Sequence, residues 1–373
     1  MKYTTIFIAI IFLLSGCLPE LYNEQITSFP DIDLNTEIYF QSITNFAHNY
    51  GVSQIGFYRS KIDNTETKHL ISSNFEIPDL IRHSKIPRIV GSYSKSGNHV
   101  STYGGKPLDV KFKNESAFAI YNIESARKIF IANSKIPIAE YPYEEYQLPW
   151  SKKEEAFFVF SKNQIKKITV DQQEYIIFEG EEIRNFAVSN NDSLILVQEN
   201  QHIFVYNILT MEKKPILSND KSIRVSTYVR GMSWTPGNRN LAFASNSWLY
   251  VHNIPSGNTT RFTTREPIFY SLWISGSEII FVTGRYPANK YVTSNAEYFK
   301  INKLNISTGE ITLLYKNMSG QPFSIKPQLS PSKDFIIFSS GKLQSSFVMV
   351  LLSVDGNRIK YLWDGSYPQW ISN

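Results

Sequence analysis

The sequence predicts an all-β protein assembled from a repeating sheet unit, and three observations carry that prediction. Aromatic residues make up 14% of the 373 residues, as 22 Tyr, 25 Phe and 6 Trp, and such side chains favour strands. A five-residue turn phrase recurs along the chain, and an aromatic followed by a Ser-Pro or Gly-Asn turn recurs upstream of it. Self-similarity of this kind marks repeat architectures. At 42% hydrophobic and 19% charged the chain is also too apolar to be disordered. A single cysteine excludes a disulfide framework and a multi-cysteine metal centre, and six scattered histidines leave little for a metal cage. Neither a metal nor any other cofactor is expected.

The first segment stands apart. Lys2 precedes a mostly apolar run from Ile6 to Leu14, closed by Ser15-Gly16, which reads as a secretory signal too short for a comfortable membrane span. Leu14-Ser15-Gly16-Cys17 resembles a bacterial lipobox. That resemblance implies cleavage before Cys17, a diacylglyceryl thioether on its sulfur and acylation of the new amino terminus. Two or more acyl chains make anchoring durable. Leu18, rather than aspartate, follows Cys17, a pattern similar to lipoproteins sent to the outer membrane of a Gram-negative host, where the periplasmic face is expected. The formal net charge of +5 is spread along the chain and does not indicate a nucleic-acid surface.

Repeats organise the remainder. The turn phrase appears as Tyr121-Asn122-Ile123-Glu124-Ser125, Tyr206-Asn207-Ile208-Leu209-Thr210, His252-Asn253-Ile254-Pro255-Ser256 and Leu304-Asn305-Ile306-Ser307-Thr308, with a looser copy at Leu352–Gly356. Each lies between alternating apolar stretches, so each predicts a hairpin. Asn207, Asn253, Asn305 and Ser353 are 46, 52 and 48 residues apart, and Ile165–Ile177 supplies the unit missing between Asn122 and Asn207. The upstream phrase is clearest at Trp234-Thr235-Pro236-Gly237-Asn238. It recurs more weakly at Tyr93, Trp150, Val188, Trp273, Leu329 and Trp370.

The combined pattern, aromatic-Ser-Pro-x-Gly, strand, strand-Asx turn, strand, is similar to the repeats of TolB-like β-propellers over residues 87–373. The Ser-Pro-Asp-Gly turn of that family is degraded in every copy here, and Asn23–Asn35 is too short for TolB's amino-terminal domain. The resemblance therefore implies an architecture and not TolB's own partners. Seven turn aromatics or apolar equivalents, six hairpins and a seventh candidate hairpin at Gln54–Ile71 predict seven four-stranded blades, with six as the alternative. The carboxy-terminal strand at Trp370–Ser372 is expected to complete the blade begun by the amino-terminal strands, which hides edges that would otherwise aggregate. Residues 1–16 then form the signal peptide, 17–35 the lipidated cysteine and a tether, and 36–373 one propeller. Ile38, Ile43, Phe46 and Tyr50 within Thr36–Tyr50 also fit a helix stopped by Gly51.

Catalytic templates are thin. Gly-x-Ser-x-Gly is absent, Ser92-Tyr93-Ser94-Lys95 falls in a repeat turn, and Gly104-Gly105-Lys106 lacks the rest of a phosphate loop. Glu144-Glu145, Glu154-Glu155 and Glu181-Glu182 are adjacent, so on strands their members point to opposite faces and read as solvated edges. His252 takes a repeat position that is tyrosine elsewhere and reads as structural. The informative features are three long insertions, Tyr103–Glu115, Gly284–Glu297 and Ile136–Leu148. The first two join the second and third strands of a blade, and the third joins blades, which places all three on one face. They carry Lys106, Lys111, Lys113, Tyr143, Tyr146, Arg285, Tyr286, Lys290 and Tyr291, and tyrosine and arginine are enriched where proteins bind proteins. The expectation is a non-catalytic, membrane-anchored platform for an envelope protein partner. The alternative is a propeller enzyme or glycan-binding module using the central channel.

Overall fold

The computed structural model describes residues 36–47, 52–62, 64, 66–76, 90–94, 96–103, 106–107, 117–125, 128–133, 149–160, 163–216, 229–285, 298–317, 326–341 and 347–371. No described residue is helical, and the strands form seven sheets in a ring. Blade 1 takes β1 (Glu37–Ala47), β2 (Val52–Lys61) and β3 (Lys68–Glu76). Blade 2 comprises β4 (Val90–Tyr93), β5 (His99–Tyr103), β7 (Ala117–Asn122) and β8 (Lys128–Asn133), while the short β6 (Lys106–Pro107) leaves it to pair with β3. In blade 3 the innermost strand shrinks to one bridge, Trp150 to Phe157, beside β9 (Ala156–Phe160), β10 (Gln164–Thr169) and β11 (Glu174–Glu179).

Blade 4 runs β12 (Ile183–Val188), β13 (Leu194–Glu199), β14 (His202–Asn207) and β15 (Lys213–Pro215). Blade 5 runs β16 (Arg230–Trp234), β17 (Asn240–Ser245), β18 (Trp248–Asn253) and β19 (Thr259–Thr263). Blade 6 runs β20 (Ile268–Trp273), β21 (Glu278–Arg285), β22 (Tyr298–Asn305) and β23 (Ile311–Lys316). Blade 7 runs β24 (Gln328–Leu329), β25 (Phe335–Gly341), β26 (Phe347–Ser353) and β27 (Ile359–Asp364). The last strand, β28 (Ser366–Trp370), pairs with β1 through Ile38 and Trp370 and becomes the innermost strand of blade 1. The molecule is a seven-bladed β-propeller closed by its carboxy-terminal strand.

Glu37–Ala47 is strand, not helix. It lies between β28 and β2 and is buried at Ile38, Tyr39 and Phe40 alike. A strand with neighbouring blades against both faces loses its polar alternation, which is why its apolar spacing was ambiguous. The same holds for β17, where Leu241 through Ser245 are all buried. Outermost strands instead face solvent, as β15 and β19 do.

The core is divided among the blade interfaces. Six buried apolar clusters lie among the described residues, such as one joining Phe243 and Tyr250 of blade 5 to Leu196 and Val205 of blade 4. Burying a side chain such as Phe243 completely contributes about 1.5–3 kcal/mol. The turn aromatics add directional bonds between blades. Trp150, Trp234, Trp273 and Trp370 each donate Nε1–H to a carbonyl of the preceding blade's innermost strand: Ser92 at 3.0 Å, Ala187 at 3.1 Å, Ser233 at 3.3 Å and Gln328 at 3.1 Å. Each acceptor immediately precedes the aromatic or apolar turn residue of its own blade.

Both recurrent phrases acquire a physical reason. In the third-to-fourth-strand turns, the side-chain oxygen of Asn122, Asn207, Asn253 and Asn305 accepts the N–H of a residue two or three positions on, an Asx turn. In the first-to-second-strand turns, the hydroxyls of Ser94, Ser189, Thr235 and Ser330 accept the N–H of the residue five positions on. The fourth residue of those turns is left-handed in every case: Gly97 (φ 72°), Asp192 (54°), Asn238 (56°) and Lys333 (67°). The turn therefore keeps one geometry whether Gly97, Asp192, Asn238 or Lys333 fills its fourth position.

Candidate functional face and channel

Of the nine residues expected on the interaction face, Lys106 and Arg285 lie among the described residues. Lys111, Lys113, Tyr143, Tyr146, Tyr286, Lys290 and Tyr291 lie outside them, as does Cys17. Lys106 sits in β6, opposite Glu76 of β3, so its backbone extends the outer edge of blade 1. Arg285 ends β21, is exposed, and pairs in register with Tyr298 of β22. The structure thus assigns Lys106 and Arg285 to different blades, with blade 7 between them. The three insertions occupy the expected connections: β5 to β7, β21 to β22, and β8 to Trp150.

Next to Arg285 a polar cluster ties the end of β21 to the start of β22. Glu266, on the link between blades 5 and 6, accepts hydrogen bonds from Lys300 Nζ at 2.6 Å, the Tyr298 hydroxyl at 2.9 Å and Thr283 Oγ1 at 3.0 Å. Burial pushes its pKa up, but these three donors outweigh burial and hold the carboxyl below the usual range. Lys300 and Lys316 also place their ammonium groups 5.0 and 5.2 Å from the Tyr298 ring centre, within cation–π reach. Sequence reading missed Glu266 because its partners lie on two strands, β21 and β22, that are 17 to 34 positions away in sequence.

The innermost strands of all seven blades line a central cavity of about 370 Å³. In antiparallel blades the innermost strand begins where the second strand ends, so the Arg230–Lys326 end of the cavity lies on the face that carries Arg285. Arg230 begins β16, and Gly231 beside it adopts φ 54° within a register shift between Arg230 and Ser233. Such a bulge re-aims the strand end. Glycine is needed there because a Cβ would lie 3.0 Å from Ser271 N and from the Tyr270 carbonyl carbon. The Arg230 guanidinium lies 5.2 Å from the Phe269 ring centre. Tyr270 lines the cavity as a neutral phenol, its pKa pushed up to about 12 by burial against the opposing effect of a hydrogen bond with Gln328.

At the opposite end Lys152 lines the cavity near Asp192. Desolvation by the surrounding protein lowers the Lys152 pKa although the residue is exposed on the cavity side, and the Asp192 carboxylate partly restores it. The Asp192 carboxylate accepts the Ser151 hydroxyl and the N–H groups of Lys152 and Lys153, the latter two at 3.3 Å. It is the single carboxylate among the cavity's described lining residues and already holds the blade 3 turn. Among the described residues no cluster of His, Cys, Asp and Glu could hold a metal ion.

Two further expectations are resolved. His252 is buried, bonds Thr259 Oγ1 at 2.9 Å and has its pKa lowered by burial, consistent with a structural role. Glu155 departs from the solvated-edge reading. It crosses from blade 3 to blade 2, meeting His99 Nδ1 at 2.8 Å and Ser96 N–H at 3.1 Å, while Glu154 turns away to Lys167.

No protein-family model and no curated protein sequence matches the chain. Solved structures do match. The mitotic checkpoint complex contains a chain 12% identical, aligned over 92% of this chain and all of its own length, with a TM-score of 0.52. The tricorn protease is 10% identical over 91% of this chain and 36% of its own, with a TM-score of 0.51. TolB from Acinetobacter baumannii is 15% identical over 90% of this chain and 82% of its own, with a TM-score of 0.47. At such identities the first two likenesses bear on the fold alone.

Proposed function

We propose that this chain is an exported lipoprotein, anchored through Cys17, whose propeller is a non-catalytic platform for an envelope protein partner. The observation that carries this reading is the arrangement of one face. Inter-blade tryptophans and the closing strand β28 fix a ring, and its innermost strands bring Arg230 and Lys326 onto the side of Arg285. A rigid scaffold with variable loops suits selective binding, and pre-ordering lowers the entropic cost of association. The engagement of Asp192 within the blade 3 turn favours binding over acid–base chemistry.

The test has two arms. Cys17→Ser is expected to leave the membrane fraction while its thermal unfolding is unchanged. Pull-down from envelope extracts is expected to recover a stoichiometric partner that is lost when Gly284–Glu297 is shortened. Retention of Cys17→Ser on membranes contradicts the anchor, and a partner unaffected by the shortened loop contradicts the assigned face.

A further inference from the structure

We propose that the channel binds a small organic polyanion, a molecule carrying carboxylate or phosphate groups, at the mouth formed by Arg230 and Lys326. Three cations, Lys152, Arg230 and Lys326, and one carboxylate, Asp192, are the charged residues of the described lining. Arg230 and Lys326 come from blades 5 and 7 and converge only because the ring brings their innermost strands together. A cleft of one sign with low-dielectric walls focuses its field and concentrates ions of the opposite sign. Those walls are present: Trp150, Phe186, Met232 and Phe269 line the same cavity.

Size and chemistry agree with a small ligand. A volume of about 370 Å³ falls within the roughly 300–1,000 Å³ of small-molecule sites, which pair apolar walls with a few convergent polar groups. Arg230 and Lys326 are both held by protein contacts, Arg230 at the bulge and over Phe269, so little freedom is lost on binding. Gln328 and Gln369 add amide groups to the wall, and Tyr270 a neutral phenol. At the far end the Asp192 carboxylate offsets the Lys152 charge, so the net attraction is strongest at the Arg230–Lys326 mouth.

The experiment is isothermal titration calorimetry on the full chain in detergent at low salt, with citrate, inorganic phosphate and hexaglutamate as separate probes. Citrate or phosphate is expected to bind at one site, more weakly as salt rises. The affinity should fall about tenfold or more in Arg230→Gln and in Lys326→Gln, since one charge-assisted hydrogen bond accounts for that factor. Lys214→Gln, on the exposed outer strand of blade 4, is expected to bind as the parent does. Arg230→Lys, which keeps the charge if the Gln variant folds poorly, is expected to retain most of the affinity. The tighter of the two small anions identifies carboxylate or phosphate as the recognised group. The proposal is overturned if neither small anion binds, if Lys214→Gln weakens binding as much as Arg230→Gln, or if hexaglutamate alone binds.

Discussion

The side-chain amide of Gln369 engages both backbone groups of Tyr93: its oxygen accepts the Tyr93 N–H at 3.1 Å, and its nitrogen donates to the Tyr93 carbonyl at 3.2 Å. These residues are 276 positions apart, so one side chain ties the closing strand of blade 1 to blade 2. Beside it Tyr39 and Tyr93 stack with ring centres 4.1 Å apart. Gln369→Ala removes both bonds and is expected to destabilise the ring by about 1–3 kcal/mol. Urea denaturation measures this, and a midpoint equal to the parent's would show that closure does not depend on the amide.

Trp234→Phe keeps most of the buried ring but leaves the Ala187 carbonyl without the indole N–H. A loss of about 1–3 kcal/mol is expected, with a comparable loss for Trp370→Phe at the blade 1–blade 7 junction. Thermal melts of both variants check it. No loss in either would reduce the tryptophans to space-filling.

Lys333 holds φ 67° in an exposed turn where glycine is free of the Cβ clash. Lys333→Gly is expected to stabilise the fold by about 0.5–1 kcal/mol. Gly97→Ala is expected to do the reverse, by more than about 1 kcal/mol, because the backbone is left-handed and the new Cβ would run into the Tyr39 hydroxyl. Denaturation midpoints that move together in these two variants would contradict the turn assignment.

Glu155 and Glu266 set an acid limit. In both, burial raises the pKa but hydrogen bonds outweigh it: Ser96, His99 and Ser94 act on Glu155, and Lys300, Tyr298 and Thr283 act on Glu266. A carboxyl held low in the folded state adds stability above its unfolded pKa and loses it as pH falls through the folded value. The melting temperature is therefore expected to drop between about pH 5 and pH 2. Glu266→Gln should lower stability at neutral pH and flatten that drop. An unchanged acid slope in Glu266→Gln would refute its part in the effect.

Local chemistry explains which parts of the fold were legible. Asn207, Asn253 and Asn305 build Asx turns from their own side chains, so each hairpin announces itself within five residues. Trp234 and Trp273 were visible because the same inter-blade contact recurs at Trp150 and Trp370. Lys106–Pro107 was not foreseen as a fifth strand of blade 1, since two residues carry no period and their partner β3 is distant in sequence. The channel charges were missed for a related reason. Arg230 lies four residues before Trp234, just as Phe269 lies four before Trp273, and only an alignment of the repeats in register would have placed both in one lining.

The proposed function requires that the face carrying Arg285 engage a partner while the opposite face does not. Photo-crosslinking in living cells from position 285, compared with position 256 in the third-to-fourth-strand turn of blade 5, tests it most directly. One discrete adduct is expected from position 285 and none from position 256. Equal crosslinking from both positions, or an adduct from 256 alone, would contradict it.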